Sequence, residues 1–193
     1  MRPLSPLLTA AVLLCAGAGT VAASAATGPG AALARQAPCG SADLLPAPDN
    51  AAAIESSTLC LVDGIRAAHR LAPVRANGDL RAVAARKVRN MVRWDYFADV
   101  RPSGQTPLSL VARTGYRARA SNMSVAQNIA WGTGVQATPA SILAGWMASP
   151  PHRKIILTGS YRDGGVAAVP AVPWRYGHGT DGATYAIELG RRR

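Results

Sequence analysis

Acidic, aromatic and lysine residues are scarce in this chain. Ten Asp and Glu residues stand against 21 Lys and Arg residues, a formal net charge of +11, and the 193 residues include one Phe. Lys87 and Lys154 are the two lysines, so nearly all of the positive charge is arginine. The sequence shows no aromatic stacking platform interleaved with a dense run of basic residues, the pattern of single-stranded nucleic-acid binders. We therefore expect no nucleic-acid partner.

The first 26 residues have the features of a secretory signal. Arg2 supplies a positive start, residues 7–18 are apolar, and Ala23, Ser24 and Ala25 form a small-residue cleavage site. The apolar stretch is too short for a stable membrane span. Residues 27–50 are rich in Ala, Gly and Pro and predict an irregular lead, which leaves 51–193 for one domain. We expect a secreted, extracellular protein.

Cysteines are few, and their number suggests one pairing. Removal of the signal takes Cys15 away and leaves Cys39 and Cys60. Two cysteines in an exported chain allow a single disulfide. The alternative, two free thiols, stays open at this point.

Hydrophobic periodicity predicts a layered α/β domain. Lys87 falls within the apolar stripe of the second predicted helix, and we expect its stem to lie along apolar surface with the ammonium in water. Asn77 is the expected cap of that helix, and Gly115 is expected to end the third. The predicted helices are 54–70, about 80–91, 108–114 and 139–148, and the predicted strands are 124–131, 165–169 and 184–189.

Recognisable catalytic motifs are absent from the sequence. It has no HExxH, no Cys-x-x-Cys, no Gly-x-Ser-x-Gly and no phosphate-binding glycine loop. We interpret His69 as a helix-end residue and His178 as part of a glycine-rich hairpin loop, 176–182. His152 follows Ser149-Pro150-Pro151 at the expected start of a helix and is the one histidine placed for a pocket, although a structural role fits it equally well. Ser149 has no base that the sequence identifies as oriented toward it.

Several segments, in order, resemble one secreted family. They resemble the CAP superfamily, the domain shared by cysteine-rich secretory proteins, antigen 5 and pathogenesis-related 1 proteins, and most of all its bacterial extracellular, SCP-like branch. The resemblance covers about 59–190 and implies a single-domain, three-layer α-β-α sandwich. The segments are LVDGIRAAHRLAPV (61–74), LRAVAARKVRNMVRWDYFADVRPSG (80–104), GY (115–116), QNIAWG (127–132), WMASPPHRKIIL (146–157), DGGVAAV (163–169) and TYAIELG (184–190).

The resemblance also implies where a cleft lies. The family's cleft gathers two histidines with acidic side chains and holds a divalent metal in some members. Here His152 keeps its identity, whereas Asp99 and Lys87 stand where histidines are expected, Gln127 where a glutamate is expected and Ile155 where an asparagine is expected. The resemblance implies that Asp99, Gln127 and His152 line one cleft, with Lys87 as a further candidate. The catalytic residues are unknown, and we expect no metal or other cofactor beyond weak divalent binding.

A cleft in which most of the expected histidines and carboxylates are replaced predicts a binding or envelope-associated module that is not an enzyme. The expected ligand is a lipid, glycan or protein of the cell envelope. The alternative is an extracellular hydrolase whose atypical site rests on His152 and Asp99.

The positive charge suggests an anionic partner in the envelope. Removal of residues 1–26 takes away one charged residue, Arg2, and leaves a net charge of +10. We expect attraction to anionic polymer or lipid. The candidate contacts are Arg117, Arg119, Arg191, Arg192 and Arg193. A solvated arginine-rich surface that binds nothing in particular remains the alternative.

Overall fold

The structure is a computed structural model that describes residues 39–178 and 180–193. The predicted signal, 1–26, and the first part of the predicted lead lie outside the described residues. The rest of the lead, 39–50, forms turns and irregular backbone. Ala140 N–H donates to the Ala42 carbonyl at 2.9 Å, which ties this part of the lead to the domain.

The described chain forms a mixed sheet with helices before, between and around its strands. The strand order is β1-β3-β4-β2, with β1 parallel to β3 and the other pairs antiparallel. The elements are α1 (Ala51–Ala68), β1 (Arg75–Ala76), α2 (Gly78–Arg93), α3 (Pro107–Val111), α4 (Gly115–Ala118), β2 (Met123–Thr133), α5 (Pro139–Ala148), α6 (Pro150–Ile156), β3 (Asp163–Val169), α7 (Trp174–Gly177) and β4 (Gly182–Arg192).

Two apolar clusters sandwich the sheet. On one face, side chains of α1, α5 and α6 such as Val62, Trp146 and Ile156 pack with Tyr185 and Ile187 of β4. On the other face, the stripe of α2 packs on β2, β3 and β4 through Ala84, Val88, Met91, Ile129, Ala167 and Ala186. Since residues of a strand alternate between faces, β4 is buried on both sides. The predicted single-domain, three-layer α-β-α sandwich is confirmed.

Helix ends follow local chemistry, and of three predictions about them two are confirmed and one is wrong. His69 is the C-cap of α1, as expected, and Asn77 Oδ1 accepts from Leu80 N–H at 3.1 Å at the start of α2. The predicted helix 108–114 ended by Gly115 is wrong. Its first part is α3, and Gly115 instead begins α4, because the Thr114 hydroxyl accepts from Tyr116 N–H at 3.2 Å.

The segment before β4 also differs from the interpretation of 176–182 as a simple hairpin loop. A short helix, α7, covers Trp174–Gly177 and so includes the start of this segment, and His178 ends that helix with φ of 47°. The left-handed backbone at His178 turns the chain toward β4.

A disulfide joins Cys39 to Cys60, as predicted. It fastens the lead to α1 across a sequence separation of 21 residues. Replacement of both cysteines by serine should lower the free energy of unfolding by about 3 kcal/mol, because the unfolded chain regains the freedom of the closed loop. Urea denaturation of the secreted protein and its double variant measures this difference. Two alkylatable thiols in the unreduced protein would contradict the bridge.

Candidate functional site

A surface pocket of about 460 Å³ opens beside β2, between α5, α6 and the segment after α2. We call it the aromatic pocket. Its apolar wall includes Phe97, Trp131 and Trp146, together with Ile129 and Ile142. The polar groups in the wall come from Gln136, Ser141, Ser149 and His152. A mostly apolar wall with a few polar groups is the usual composition of a small-molecule site.

Two hydrogen bonds fix the helices that form this pocket against β2. Asn128 Nδ2 donates to the His152 carbonyl at 3.0 Å, and Trp146 Nε1 donates to the Ile129 carbonyl at 3.1 Å. The first bond uses the Asn128 side chain and the second a main-chain carbonyl of β2, which is an edge strand of the sheet among the described residues. The strand edge, α5 and α6 are therefore held as one rigid wall.

An aromatic group borders the pocket at α7. The Tyr176 ring centroid lies 6.0 Å from that of Phe97 and 6.1 Å from that of Trp131. Arg175 N–H donates to Asp95 Oδ1 at 2.7 Å and holds α7 against the segment that follows α2. Trp174 is 66% exposed in the same short helix. Flat apolar surface is thus available to a ligand at this border.

Ser149 and His152 form a pair within the pocket wall. His152 Nδ1 lies 2.7 Å from Ser149 Oγ, at the first turn of α6. In the tautomer with its proton on Nε2, the imidazole accepts from the serine hydroxyl. The expectation that Ser149 has no oriented base is therefore wrong. Within 39–178 and 180–193, no third side chain hydrogen-bonds His152 Nε2.

A cluster of buried polar side chains lies between α2 and the sheet, and we call its members, Lys87, Gln127 and Glu188, the sealed group. Gln127 and Glu188 are directly opposed on β2 and β4, and Gln127 Nε2 donates to Glu188 Oε1. Lys87 Nζ donates to the carbonyls of Ala98 and, at 2.7 Å, Asp99. Lys87 and Glu188 are both fully buried. The expectation that the Lys87 ammonium reaches water is wrong, because two main-chain carbonyls take the place of water.

Burial is the largest cause of the shifted pKa values of Glu188 and Lys87 in this sealed group. It raises the pKa of Glu188 to about 8, against the hydrogen bond from Gln127 and the charge of Lys87. It lowers the pKa of Lys87 to about 8, against the attraction of Asp99. Each group loses hydration that its partners replace only in part.

The sealed group does not suit a divalent metal. Lys87 supplies N–H donors and a positive charge where a metal needs lone pairs. Gln127 already hydrogen-bonds Glu188. Across the described residues, no three His, Cys, Asp or Glu side chains lie together in a metal-holding group. The expected absence of a cofactor stays a prediction.

Of the four candidate residues, His152 lies in the wall of the aromatic pocket. Lys87 and Gln127 lie in the sealed group, and Asp99 contributes its carbonyl to Lys87 while the residue itself is exposed. That Asp99, Gln127 and His152 line one cleft stays a prediction, with His152 in the wall of the aromatic pocket and Gln127 buried against Glu188.

Sequence reasoning missed Glu188 and Trp131. Glu188 is the sole carboxylate in the apolar stretch ATYAIEL, 183–189. An acidic residue inside a strand buried on both faces requires an internal partner, and this signal was available. Trp131 lies within QNIAWG, 127–132, one of the segments that carry the resemblance, but its position beside α7 depends on the fold.

Residues 59–185 match the model of the cysteine-rich secretory protein family, CAP. The match spans more than half of the chain. This chain belongs to the CAP family. No curated protein is significantly similar to it in sequence. In the described residues of this CAP chain, none of the helices has the length and apolar character needed to cross a membrane.

Solved structures share the fold of this CAP chain at low identity. An extracellular SCP-domain protein of Bacillus anthracis str. Ames has a TM-score of 0.57 and 22% identity over 76% of this chain and 44% of its own. An outer surface protein of Borrelia burgdorferi has a TM-score of 0.57 and 14% identity, covering 70% and 90%. A cysteine-rich secretory protein of Staphylococcus aureus has a TM-score of 0.54 and 16% identity, covering 76% and 41%. The chain thus spans less than half of two of these proteins.

Proposed function

We propose that this CAP chain is a secreted, non-catalytic module that binds a glycan of the cell envelope in the aromatic pocket. The observation that carries the proposal is the wall itself, in which Trp131 and Phe97 present aromatic surface beside the polar side chains of Gln136, Ser141 and His152. Sugar rings combine apolar C–H faces with hydroxyl groups. Such a ligand uses both parts of the wall, whereas an acyl chain leaves the polar groups unpaired.

The arrangement of the carboxylates supports binding over hydrolysis. Glycoside hydrolysis usually needs two carboxyl groups on either side of the scissile bond. The described wall of the aromatic pocket contains no Asp or Glu side chain. Glu188 is buried against Gln127 and is not in that wall.

Secretion is supported by three observations. The first 26 residues resemble an export signal, the described chain contains a disulfide, and two of the similar proteins are described as extracellular or outer-surface proteins. The net charge of +10 after signal removal supports an anionic envelope polymer as a further partner.

Trp131→Ala should weaken binding of soluble glycan fragments from a bacterial cell wall by about tenfold or more, which corresponds to about 1.4 kcal/mol. The substitution removes the aromatic face that the ligand contacts. Isothermal titration calorimetry of the secreted protein measures the change. Trp94→Ala is the matched control, because Trp94 is 50% exposed and lies outside the pocket wall. Equal affinities in both variants, or binding of fatty acid in place of glycan, would contradict the proposal.

A second candidate, an acyl hydrolase, is favoured by one observation. Ser149 Oγ lies 2.7 Å from His152 Nδ1 in the pocket wall. In such an enzyme the serine oxygen would attack an ester carbonyl while its proton passes to His152, which then protonates the leaving alcohol. Water would release the acid from Ser149. This site would rest on His152 with Ser149, since the Asp99 side chain makes no hydrogen bond to His152 among the described residues.

A further inference from the structure

Four arginines surround a second pocket of about 300 Å³ at the far end of the sheet. We call it the arginine pocket, and Arg162, Arg191, Arg192, Arg193 and Ser160 line it. No carboxylate side chain is found in its described wall. β2 runs from Met123, near this pocket, to Trp131 in the aromatic pocket, so the two sites are roughly 25 Å apart along the strand.

The terminal arginines belong to the fold and do not form a loose tail. Arg191 and Arg192 are strand residues of β4, opposite Ser124 and Met123 of β2. The Arg193 carbonyl accepts from Ser121 N–H at 2.6 Å and Asn122 N–H at 3.2 Å. Their backbone positions are therefore set before any ligand arrives.

Arg192 is held especially firmly and has an unused donor. Its guanidinium lies over the Tyr116 ring, 4.9 Å from the centroid, and the Tyr116 hydroxyl donates to Asp163 Oδ2 at 3.0 Å. The Arg192 Nη1 atom is buried without a hydrogen-bond partner among the described atoms. A buried cationic donor without a partner is costly, and Arg192 also contributes to the lining of the arginine pocket.

Of the five candidate contacts expected from sequence, Arg191, Arg192 and Arg193 line the arginine pocket, and the other two lie outside its wall. Arg119 donates to Asp79 Oδ2 at 2.6 Å, and Arg117 donates to the Ala120 carbonyl. Arg162, which sequence reasoning did not select, joins the three terminal arginines because β3 begins beside the end of β4. Convergence of four like charges favours an anion that offers several oxygen atoms.

We propose that the arginine pocket binds the phosphate group of a soluble phosphodiester polymer. Each phosphodiester group carries a negative charge and two oxygen atoms that accept paired hydrogen bonds from guanidinium groups, and a polymer presents such groups in series to several arginines. No apolar side chain is found in the described lining of the pocket, whereas proteins that bind bilayer surfaces pair basic side chains with apolar ones. The inference rests on the proposed attraction to anionic envelope polymers and supplies a site for it.

The test compares two triple variants with the same loss of charge. One carries Arg162→Gln, Arg191→Gln and Arg193→Gln, and keeps Arg192 on Tyr116. The control carries Arg89→Gln, Arg93→Gln and Arg113→Gln, three exposed residues away from the pocket. The probes are soluble poly(glycerol phosphate), inorganic phosphate, polyglutamate and phosphatidylglycerol vesicles. Thermal melting verifies that both variants fold.

We expect the pocket variant to lose about tenfold or more in affinity for poly(glycerol phosphate) at low salt, and the control variant about threefold or less. Equal losses would overturn the site while leaving general attraction to the polymer intact. Arginine-dependent binding of inorganic phosphate without binding of the polymer would support the site and contradict the envelope partner. Equal binding of polyglutamate, or binding of vesicles alone, would overturn the phosphodiester assignment.

Discussion

Lys87→Met should remove a rise in stability that we expect of the unmodified protein between about pH 8 and pH 10.5. The pKa of Lys87 is lowered by burial from 10.5 to about 8, so in this range the unfolded chain binds a proton that the folded chain does not. Stability then rises with pH, on the order of 3 kcal/mol across the window. The variant cannot titrate at this position. Above about pH 10.5, where Lys87 is neutral in both states, the variant should be less stable than the unmodified protein, because the carbonyls of Ala98 and Asp99 lose their donor.

Glu188→Gln tests how stability depends on pH below the range in which Lys87 titrates. The pKa of Glu188 is raised from 4.5 to about 8, so between these values the folded chain holds a proton that the unfolded chain has released. Stability therefore falls with rising pH across this range, and the two groups together place a minimum near pH 8. The glutamine variant should lose the fall below about pH 8 and keep the rise above it.

Urea denaturation at pH values of about 5, 8 and 10 measures the fall in stability below about pH 8 and the rise above it. Lys154→Met is the matched control, since Lys154 is the other lysine of the chain and is exposed. Its pH profile should parallel that of the unmodified protein. A Lys87→Met profile that is also parallel would mean that the buried ammonium is not the source of the rise.

Gly165→Ala should destabilise the protein by about 3 kcal/mol or more, because α2 crosses β3 at this glycine. A Cβ atom at Gly165 would lie 2.1 Å from Arg81 N and 2.5 Å from the Leu80 carbonyl carbon. Both are backbone atoms, so the whole first turn of α2 would have to move. Gly78→Ala, at the start of the same helix, is the control, since a Cβ atom there would have no described neighbour within 4 Å.

Urea denaturation of both alanine variants distinguishes these positions. Gly78→Ala should change the free energy of unfolding by less than about 1 kcal/mol. Equal effects of the two substitutions would show that the contact between α2 and β3 adapts more readily than a close backbone approach allows.

Elements with a clear period were predictable from the sequence, and so was the family. The stripe of α2 with its Asn77 cap and the three long strands needed only local patterns. Gly115 was misassigned because glycine both ends and begins helices, and the Thr114 cap decided between them. The periodicity indicated a layered α/β domain, but its three-layer arrangement came from the resemblance, since local patterns do not determine how strands from distant segments pair.

The candidate site was less accessible to sequence reasoning than the fold. Ser149 and His152 are three residues apart, yet their contact depends on side-chain orientation at the first turn of α6. Lys87 looked like a residue that reaches water, because the carbonyls that bind it lie in an irregular segment 11 and 12 residues further along the chain. The arginine pocket required the pairing of β4 with both β2 and β3. Tertiary pairing and side-chain orientation, which no local pattern encodes, created these contacts.

Binding of an envelope glycan in the aromatic pocket should leave the glycan unchanged. The most direct measurement is mass spectrometry of soluble cell-wall glycan fragments, recovered after prolonged incubation with saturating secreted protein. We predict recovery of fragments with unaltered masses, together with saturable binding that Trp131→Ala weakens. New fragments or deacylated products that disappear with Ser149→Ala or His152→Ala would contradict this proposal and identify the pocket as an active site.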